Sequence, residues 1–294
     1  MHPLSEIKYQ IAGDSKIAFV QCGSGSPLLL LHGFPETHFA WHKVAPELAK
    51  HFLLVIPDLP GYGDSTGPAI DINHEAYSKR NMADILVRFM EKLGFEKFFV
   101  AAHDRGARVA YRMALDHPQK ILRLALLDII PTGEIADRLT YESASQLGNW
   151  WFLSQPFPFP ETLIQNNADF FLNHILDSWS GTAKPITEKA RQEYLRYFKN
   201  SKVVRTMCEE YRAGISIDVR HDRRDKKDGR FIQCPLLILW ASDGFVTSFG
   251  DPLEVWKTRA KNVKGYQINS AHFLMEEVPA EIQNAFIDFF SIYF

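Results

Sequence analysis

Cysteine is scarce in this chain of 294 residues, which has only Cys22, Cys208 and Cys234. An odd number of thiols without ligand spacing predicts neither a disulfide framework nor a zinc site. The chain also has no apolar run of about 18 residues, the length that a membrane helix needs. Its first residues, MHPLSEIKYQ, contain no apolar signal core. These absences predict a cytoplasmic protein without a membrane segment.

An excess of charge of one sign is also missing. The 33 Lys and Arg nearly balance the 35 Asp and Glu, so the formal net charge is -2. This balance gives no reason to expect nucleic acid as a partner. The hydrophobic fraction of 46% and the charged fraction of 23% are ordinary for a globular protein. The length allows one large domain, or a core domain that carries an insertion.

Short apolar runs alternate with helical patterns along most of the chain. An opening hairpin is indicated by IKYQIA and KIAFVQ, and later strands by PLLLLHG, FLLVIPD, KFFVAAH, LRLALLD, PLLILWA and GYQIN. Several of these runs are apolar without alternation, as in strands covered on both faces. Between strands, stretches such as HEAYSKRNMADILVRFMEKLGF have apolar residues at helical spacing. The alternation predicts an α/β fold with a mainly parallel sheet flanked by helices.

The pattern changes between Pro131 and Arg230. Strand candidates vanish, and aromatic-rich helical segments appear: NWWFLSQPFPFPETLI, ADFFLNHILDSW and EKARQEYLRYF. The charge run DVRHDRRDKKDGR follows, and we interpret it as a solvated connector before the strand PLLILWA. We therefore predict a core domain of residues 1–130 and 231–294. Residues 131–230 would form an inserted helical cap over the carboxyl edge of the sheet.

The stretch FVAAHDRGARVAYRMALDHP places Asp104 between an apolar strand and a helical pattern. Strand, tight turn and helix are the context of a nucleophile elbow, although hydrolases usually have serine there. An alternative role for Asp104 is a helix N-cap. The sequence Gly63-Asp64-Ser65-Thr66-Gly67 matches the serine motif, but no helix follows it and Pro68 comes next. We interpret that match as a loop and predict Asp104 as the nucleophile.

Partners for Asp104 are predicted at later strand ends. His272 follows the last strand candidate, and nucleophile, acid and histidine in this order are typical of α/β-hydrolases. Asp128 and Asp243 each follow a strand and are both candidates for the acid that orients His272. Backbone amides of the His32-Gly33-Phe34-Pro35 loop and of Arg105 could form an oxyanion hole.

Several motifs together resemble the fluoroacetate and haloacetate dehalogenases. They are HGFPETHFAWHKVAPELA, DLPGYGDS, HDRGARVAYRMALDHP, LLDIIPT, EEYRAGISID and AHFLMEEVPAE. The resemblance extends from about residue 5 to the carboxyl terminus. It implies an α/β-hydrolase fold with a cap, a possible homodimer, and Asp128 rather than Asp243 as the orienting acid. It also implies a halide pocket with Trp150 and Tyr211, where Asn149 replaces the histidine of the family.

The residue types suit displacement at a saturated carbon. A carboxylate that attacks such a carbon forms an ester, which water activated by a histidine can hydrolyse. Arg105 and Arg108 beside Asp104 could bind a substrate carboxylate through planar, charge-assisted hydrogen bonds. Their alternative role is that of surface arginines on one helix face. Trp179 is a further candidate for the cap wall or for core packing.

The leading hypothesis is a cofactor-independent enzyme, without metal, that hydrolyses small 2-haloacids to 2-hydroxy acids and halide. The resemblance implies conversion of fluoroacetate to glycolate, and Asn149 makes chloroacetate the safer expected substrate. The small-molecule partners would be the haloacid and water. An epoxide hydrolase is the alternative, and it would need ring-protonating phenols from Tyr141, Tyr194, Tyr197 or Tyr211. A non-catalytic ligand sensor of the same fold is a third hypothesis. The sequence leaves open halide preference, chirality, rate and oligomeric state.

Overall fold

Eight strands form one sheet in the order β1-β2-β4-β3-β5-β6-β7-β8. The computed structural model describes residue 4, residues 6–181 and residues 184–291. The strands are β1 (Lys8–Ala12), β2 (Ser15–Cys22), β3 (Pro27–Leu31), β4 (Leu53–Pro57), β5 (Phe98–His103), β6 (Ile121–Leu127), β7 (Leu236–Ala241) and β8 (Val263–Ile268). β2 is antiparallel to both β1 and β4, and all other neighbours are parallel. The prediction of a mainly parallel sheet is therefore confirmed.

Both faces of the sheet are buried, as the apolar strands indicate. Leu29 and Leu31 of β3 belong to one apolar cluster, whereas Leu28 and Leu30 belong to the other. The first cluster includes side chains of the helices α2 (Lys79–Lys92) and α3 (Asp104–Asp116), and the second includes those of α1 (Ala45–Leu48) and α14 (Pro279–Ser291). Because successive side chains of a strand point to opposite faces, a strand between two helical layers needs apolar residues at every position.

Among the described residues, a block of eight helices lies between β6 and β7. The helices are α4 (Thr132–Arg138), α5 (Tyr141–Ser145), α6 (Gly148–Leu153), α7 (Phe159–Asn166), α8 (Ala168–Trp179), α9 (Glu188–Phe198), α10 (Ser201–Ile215) and α11 (Ile217–Lys227). Apolar side chains of this block, such as Leu172 and Phe198, join the same cluster as Leu31. We keep residues 131–230 as the proposed extent of the cap.

The charge run after the aromatic helices is not a solvated connector, and that prediction was wrong. Residues 217–227 form the helix α11, and Asp218, Asp222 and Asp225 are buried. Their spacing of four and three residues places the three carboxylates on one helix face. Arg112 of α3 pairs with Asp222 and Asp225. A dense charge run in the sequence can therefore form a helix with one buried face, whose charges pair with charges on a neighbouring helix.

The last helices complete the layers beside β7 and β8. They are α12 (Pro252–Lys257), α13 (Leu274–Glu277) and α14. In the part of the chain that the structure describes, no helix is both long and apolar enough to cross a membrane.

Candidate active site

Asp104 stands at the turn between β5 and α3. Its φ of 42° lies in the left-handed region, which non-glycine residues adopt mainly where the surroundings hold them. Small neighbours make the turn possible: a Cβ on Gly106 would lie 2.2 Å from the His32 carbonyl oxygen, and one on Gly33 would lie 2.5 Å from the Asp104 Cβ. The sequence around Asp104 therefore permits a sharp turn that lifts the carboxylate to the carboxyl edge of the sheet.

One oxygen of Asp104 is held by the loop after β3. The Phe34 amide donates a hydrogen bond to Asp104 Oδ1 over 2.9 Å. His32 orders this loop, since its Nε2 accepts from the Leu59 amide at 3.0 Å and its Nδ1 lies 2.9 Å from the Gly33 carbonyl. The Arg105 amide follows Asp104 directly and is one of the first amides of α3, which lack acceptors within the helix. Both amides of the predicted oxyanion hole thus lie near the elbow.

His272 lies between two carboxylates. Its Nδ1 is 2.6 Å from Asp128 Oδ2, and its Nε2 is 3.9 Å from Asp104 Oδ2. The second Asp128 oxygen accepts from the Ala241 amide at 3.0 Å. Because a carboxylate only accepts hydrogen bonds, Asp128 requires the proton on Nδ1 and leaves Nε2 as a base that faces Asp104.

This geometry distinguishes between Asp128 and Asp243 as the acid that orients His272. Asp128 is fully buried and contacts His272, whereas Asp243 is exposed in the loop after β7, and the Asp243 amide donates to the Ser270 carbonyl. The structure therefore places Asp128, and not Asp243, in position to orient the histidine.

Positive charge surrounds the Asp104 carboxylate. Burial by itself raises the pKa of Asp104, but the charges of His272, Arg105, His103 and Arg108 together lower that pKa below its ordinary value. The carboxyl group is therefore ionised at neutral pH, which a nucleophilic carboxylate requires.

Arg105 is not a free cation. Its Nε and Nη2 form a fork on the carboxylate of Glu210 in α10, at 2.8 and 2.7 Å. Glu210 also contacts Lys79, and these charges lower the pKa of its carboxyl although burial opposes them. Of the three Arg105 nitrogens, Nη1 is the one that is buried without a hydrogen-bond partner among the described residues. Reasoning from the sequence missed Glu210, although its position within EEYRAGISID was the available signal.

Arg108 is also buried, but unlike Arg105 it forms no ion pair with the described residues. Its Nη1 donates to the Ile130 carbonyl and to Thr132 Oγ1, at 3.1 and 2.9 Å. Its Nε and Nη2 have no partner, and no carboxylate of the described residues lies within ion-pair distance. Burial is the largest cause that lowers the pKa of Arg108, and the neighbouring charge of Arg105 lowers it further. A guanidinium nevertheless stays charged in proteins. Arg108 is therefore a buried cation that forms no ion pair with the described residues, although the charges of Asp104 and Glu210 act on it from a longer distance.

Aromatic residues of the cap cover the two guanidinium groups. The Arg108 guanidinium lies 4.6 Å from the Trp150 ring centroid, and that of Arg105 lies 4.1 Å from the Tyr211 ring centroid. The Tyr211 hydroxyl is buried without a partner among the described residues. Burial raises the pKa of Tyr211 well above its ordinary value, so the hydroxyl keeps its proton.

The other tyrosines suggested from the sequence lie elsewhere. Tyr141 is almost fully exposed, Tyr194 donates to Glu276, and Tyr197 donates to Asp64. Ser65 of the accidental serine motif lies in a loop, where its hydroxyl donates to the Asp58 carbonyl. None of these four side chains lines the cavity above Asp104.

A cavity of about 350 Å³ opens above Asp104. Its wall contains Asp104, Asp128 and His272 from the core, Asn149, Trp150 and Trp179 from the cap, and Asp243 and Phe245 from the loop after β7. Arg105, Arg108 and Tyr211 do not line this wall but lie one layer deeper, against Trp150. The structure thus brings the predicted site residues together in two layers.

A second buried pair supports the site from below and was also missed. His103 Nε2 lies 2.8 Å from the His272 carbonyl oxygen, and its Nδ1 lies 3.2 Å from Glu36 Oε2. Although burial lowers it, the pKa of His103 is raised by Glu36, which favours a charged imidazolium. His103 immediately precedes Asp104, and this adjacency was the only local signal. Among the described residues no cluster of three or more His, Cys, Asp or Glu could hold a metal ion.

A carboxylate at a strand-to-helix turn, followed in the chain by an acid and then by a histidine at later strand ends, is the order found in α/β hydrolases. This is the class that the fold and the site define. The chain belongs to the alpha/beta hydrolase fold family, which matches residues 26–277.

Individual relatives include two kinds of hydrolase. The chain is 38% identical to the fluoroacetate dehalogenase of Burkholderia sp over 95% of its own length and 91% of that protein. It is 30% identical to a soluble epoxide hydrolase of Corynebacterium sp. (strain C12) over 94% of both chains. A candidate alpha/beta hydrolase from Nostoc sp PCC 7120 has a crystal structure with a TM-score of 0.93, 44% identity and 97% coverage of both chains. The protein is thus a hydrolase of this fold, and the relatives differ in substrate.

Proposed function

We propose that this protein is a hydrolytic dehalogenase of small 2-haloacids that works through a covalent ester of Asp104. Arg108 is the observation that carries the proposal. A buried guanidinium with two unpartnered N–H groups beside a nucleophile fits a substrate that brings its own carboxylate. Neither an epoxide nor a neutral alkyl halide provides that anion. The similarity to a fluoroacetate dehalogenase supports the same substrate class.

The first step is displacement of halide. Because the Phe34 amide holds Asp104 Oδ1, Oδ2 is the oxygen that attacks the carbon bearing the halogen. An oxygen–carbon bond forms, the carbon–halogen bond breaks, and the halide leaves with the bonding pair. Arg108, together with Arg105 Nη1, fixes the substrate carboxylate and offsets its repulsion from Asp104. A shift of the Trp150 ring, which packs over Arg108, gives the carboxylate access.

The second step is hydrolysis of the ester. Water attacks Cγ of Asp104, and His272 Nε2 accepts its proton while Asp128 stabilises the resulting imidazolium. Negative charge develops on Oδ1, which the amides of Phe34 and Arg105 stabilise. Collapse of this intermediate breaks the bond from Cγ to Oδ2, and the His272 imidazolium returns its proton to that oxygen, so the 2-hydroxy acid leaves with an oxygen of Asp104. The water oxygen remains in the carboxyl group, which releases the second proton to solvent. The cycle requires no cofactor.

Departure of the halide depends on donors from the cap. Trp150 and Asn149 provide an indole N–H and a neutral amide N–H from the cavity wall, and Tyr211, one layer deeper, provides a phenol O–H once the Trp150 ring has shifted. Fluoride is a poor leaving group and needs strong hydrogen bonding in the transition state. Chloroacetate is therefore the preferred two-carbon substrate in this proposal.

An epoxide hydrolase is the second candidate, and the similarity to the Corynebacterium enzyme favours it. Such an enzyme needs a phenol that gives its proton to the opening ring. Tyr211 is the one tyrosine of the four candidates near the site, and burial raises its pKa well above the ordinary value, so it is a weak acid. The unpaired Arg108 has no role in this alternative. A non-catalytic sensor would need neither a base at His272 Nε2 nor the acid behind it.

An ion assay of released halide distinguishes these functions. We expect turnover of chloroacetate and bromoacetate, slower turnover of fluoroacetate, and little turnover of chloroacetamide or an epoxide panel. Arg108→Lys keeps the charge but loses the planar fork. The variant should lower kcat/KM for chloroacetate by a factor equivalent to roughly 1.5–3 kcal/mol of transition-state stabilisation. Arg223→Lys, on the exposed part of α11, is the matched control. Equal activity on chloroacetate and chloroacetamide would exclude a carboxylate clamp, and epoxide turnover alone would establish the second candidate.

A further inference from the structure

The cavity above Asp104 is much larger than a haloacetate. Its volume of about 350 Å³ is many times the roughly 10–15 Å³ of such space that a single water molecule needs. A two-carbon acid fills only a small part of this space, and its carboxylate would be bound one layer deeper by Arg108. The space between Asp104 and the surface is therefore available to a substituent on the reacting carbon.

Polar and uncharged side chains line the outer part of the cavity. They are Gln146, Asn149, Ser178, Ser180 and Ser248. The Ser180 hydroxyl is buried without a hydrogen-bond partner among the described residues, whereas the Ser248 hydroxyl donates to Gln146 Oε1 at 2.9 Å. Hydroxyl and amide groups can both donate and accept hydrogen bonds. Because the Ser180 Oγ is itself buried, the hydroxyl must rotate into the cavity to meet a ligand, which then supplies the partner that it lacks.

Among the described residues of the wall, the carboxylates have no basic side chain beside them other than His272. Asp104 and Asp128 lie at the bottom and the exposed Asp243 lies further out, while no Lys or Arg is present among the described residues of the wall. A neutral substituent meets no electrostatic penalty there. A second carboxylate would face Asp243 without a compensating cation.

We infer that the substrates are 2-haloacids whose reacting carbon carries a neutral substituent with a hydrogen-bonding group, such as a carboxamide. This inference rests on the proposed dehalogenase function. It assigns the outer cavity to the substituent and Ser180 to its recognition, and it makes Asp243 the residue that discriminates against dicarboxylic haloacids.

Four chlorinated acids test the inference through kcat/KM for chloride release. They are the 5-monoamide of 2-chloroglutarate, 2-chloroglutarate, 2-chlorohexanoate and chloroacetate. The first three share the same substituted reacting carbon, so they differ mainly in the end of the substituent. We expect the monoamide to exceed 2-chlorohexanoate roughly three- to tenfold. It should exceed the nearly isosteric 2-chloroglutarate at least about tenfold at low salt.

Two variants assign the effects to residues. Ser180→Ala should lower the ratio of monoamide to 2-chlorohexanoate severalfold. Asp243→Asn should raise the ratio of 2-chloroglutarate to monoamide severalfold, because it removes the charge that repels the second carboxylate. Glu254→Gln removes a charge on α12, outside the cavity wall, and should leave both ratios unchanged.

The outcomes separate the inference from the function on which it rests. If chloroacetate releases chloride but the monoamide is no better than 2-chlorohexanoate, the inference is wrong and the proposed function stands. If 2-chloroglutarate equals the monoamide, the role of Asp243 is wrong. If none of the four acids releases chloride, the proposed function itself fails.

Discussion

The two oxygens of Asp104 have different surroundings, and this difference assigns their roles in the proposed reaction. Oδ1 accepts from the Phe34 amide, and Oδ2 faces His272 Nε2 at 3.9 Å. The His272–Asp104 distance exceeds a direct hydrogen bond, which suits a histidine that activates water instead of the carboxylate. A serine at this position would need a direct hydrogen bond to the histidine to lose its proton.

His272→Asn should separate the two half-reactions. Halide leaves before water is activated, so the variant should release about one halide per site and then stop, with the ester still on Asp104. A pre-steady-state halide assay and the mass of the Asp104 peptide measure this outcome. Asp104→Asn, the matched variant, should release none. A folded His272→Asn protein that releases no first halide would contradict the assigned roles.

Asn149→His should change the halide preference. A histidine is a stronger donor when charged, and stronger donation helps fluoride more than chloride because fluoride is the poorer leaving group. We expect the ratio of kcat/KM for fluoroacetate to that for chloroacetate to rise by the equivalent of about 1–3 kcal/mol. Asn167→His, at the exposed amino end of α8, is the control. An unchanged ratio in an active variant would remove Asn149 from halide binding.

At the scale of elements, α11 connects the cap to the helix that follows the nucleophile. Asp222 accepts hydrogen bonds from Arg112 at 2.7 Å, from the Tyr111 hydroxyl at 2.8 Å and from the Gly133 amide at 2.8 Å. Arg112 and Tyr111 lie on α3, and Gly133 lies on α4. One carboxylate thus ties three helices together in a buried position.

Asp222→Asn should destabilise the protein strongly. The variant leaves the Arg112 guanidinium buried with incomplete compensation, and loss of one partner of a buried ion pair typically costs about 3–5 kcal/mol. Asp228→Asn, which breaks the exposed pair with Arg224 at the end of the same helix, should cost about 0–1 kcal/mol. Denaturant unfolding of both variants measures the difference. Equal losses would show that the buried charges of α11 contribute nothing beyond an exposed pair.

At the scale of the whole molecule, contacts between the core and the cap contain titratable groups. Tyr194 of α9 donates to Glu276 Oε1 at 3.2 Å, and Lys43 lies 3.1 Å from Glu276 Oε2. Lys43 also donates to the Pro185 carbonyl at 2.6 Å. Burial raises the pKa of Glu276 from 4.5 to about 8 in spite of Lys43.

The homodimer implied by the resemblance stays a prediction.

Glu276 should make stability fall as the pH rises. Between the unfolded value of 4.5 and about 8, the folded protein retains this proton while the unfolded chain has released it. The free energy of unfolding therefore decreases as the pH rises through this window. Glu276→Gln removes the titration, so the Tm of the unmutated protein relative to the variant should decrease by roughly 5–10 °C from pH 5 to pH 8. Glu281→Gln, exposed on α14, is the control, and a constant difference for Glu276→Gln would refute the assignment.

The sequence by itself determined the sheet, the helices and the elbow. Continuous apolar strands indicated two covered faces, and the succession of strand, tight turn and helix around Asp104 indicated the elbow, because these signals extend over only a few neighbouring residues. The order of Asp104, Asp128 and His272 also predicted that strand ends would bring them together.

Only the tertiary structure decided which charged side chains pair with one another and which are buried. It placed Asp128 rather than Asp243 against His272 and paired Arg105 with Glu210 across 105 positions of the chain. It left two nitrogens of Arg108 without a hydrogen-bond partner among the described residues. It also buried the acidic face of α11 that the sequence presented as a solvated run. The physical reason is that ion pairs and burial depend on which distant elements pack together, whereas strand, turn and helix preferences are set by the local chain.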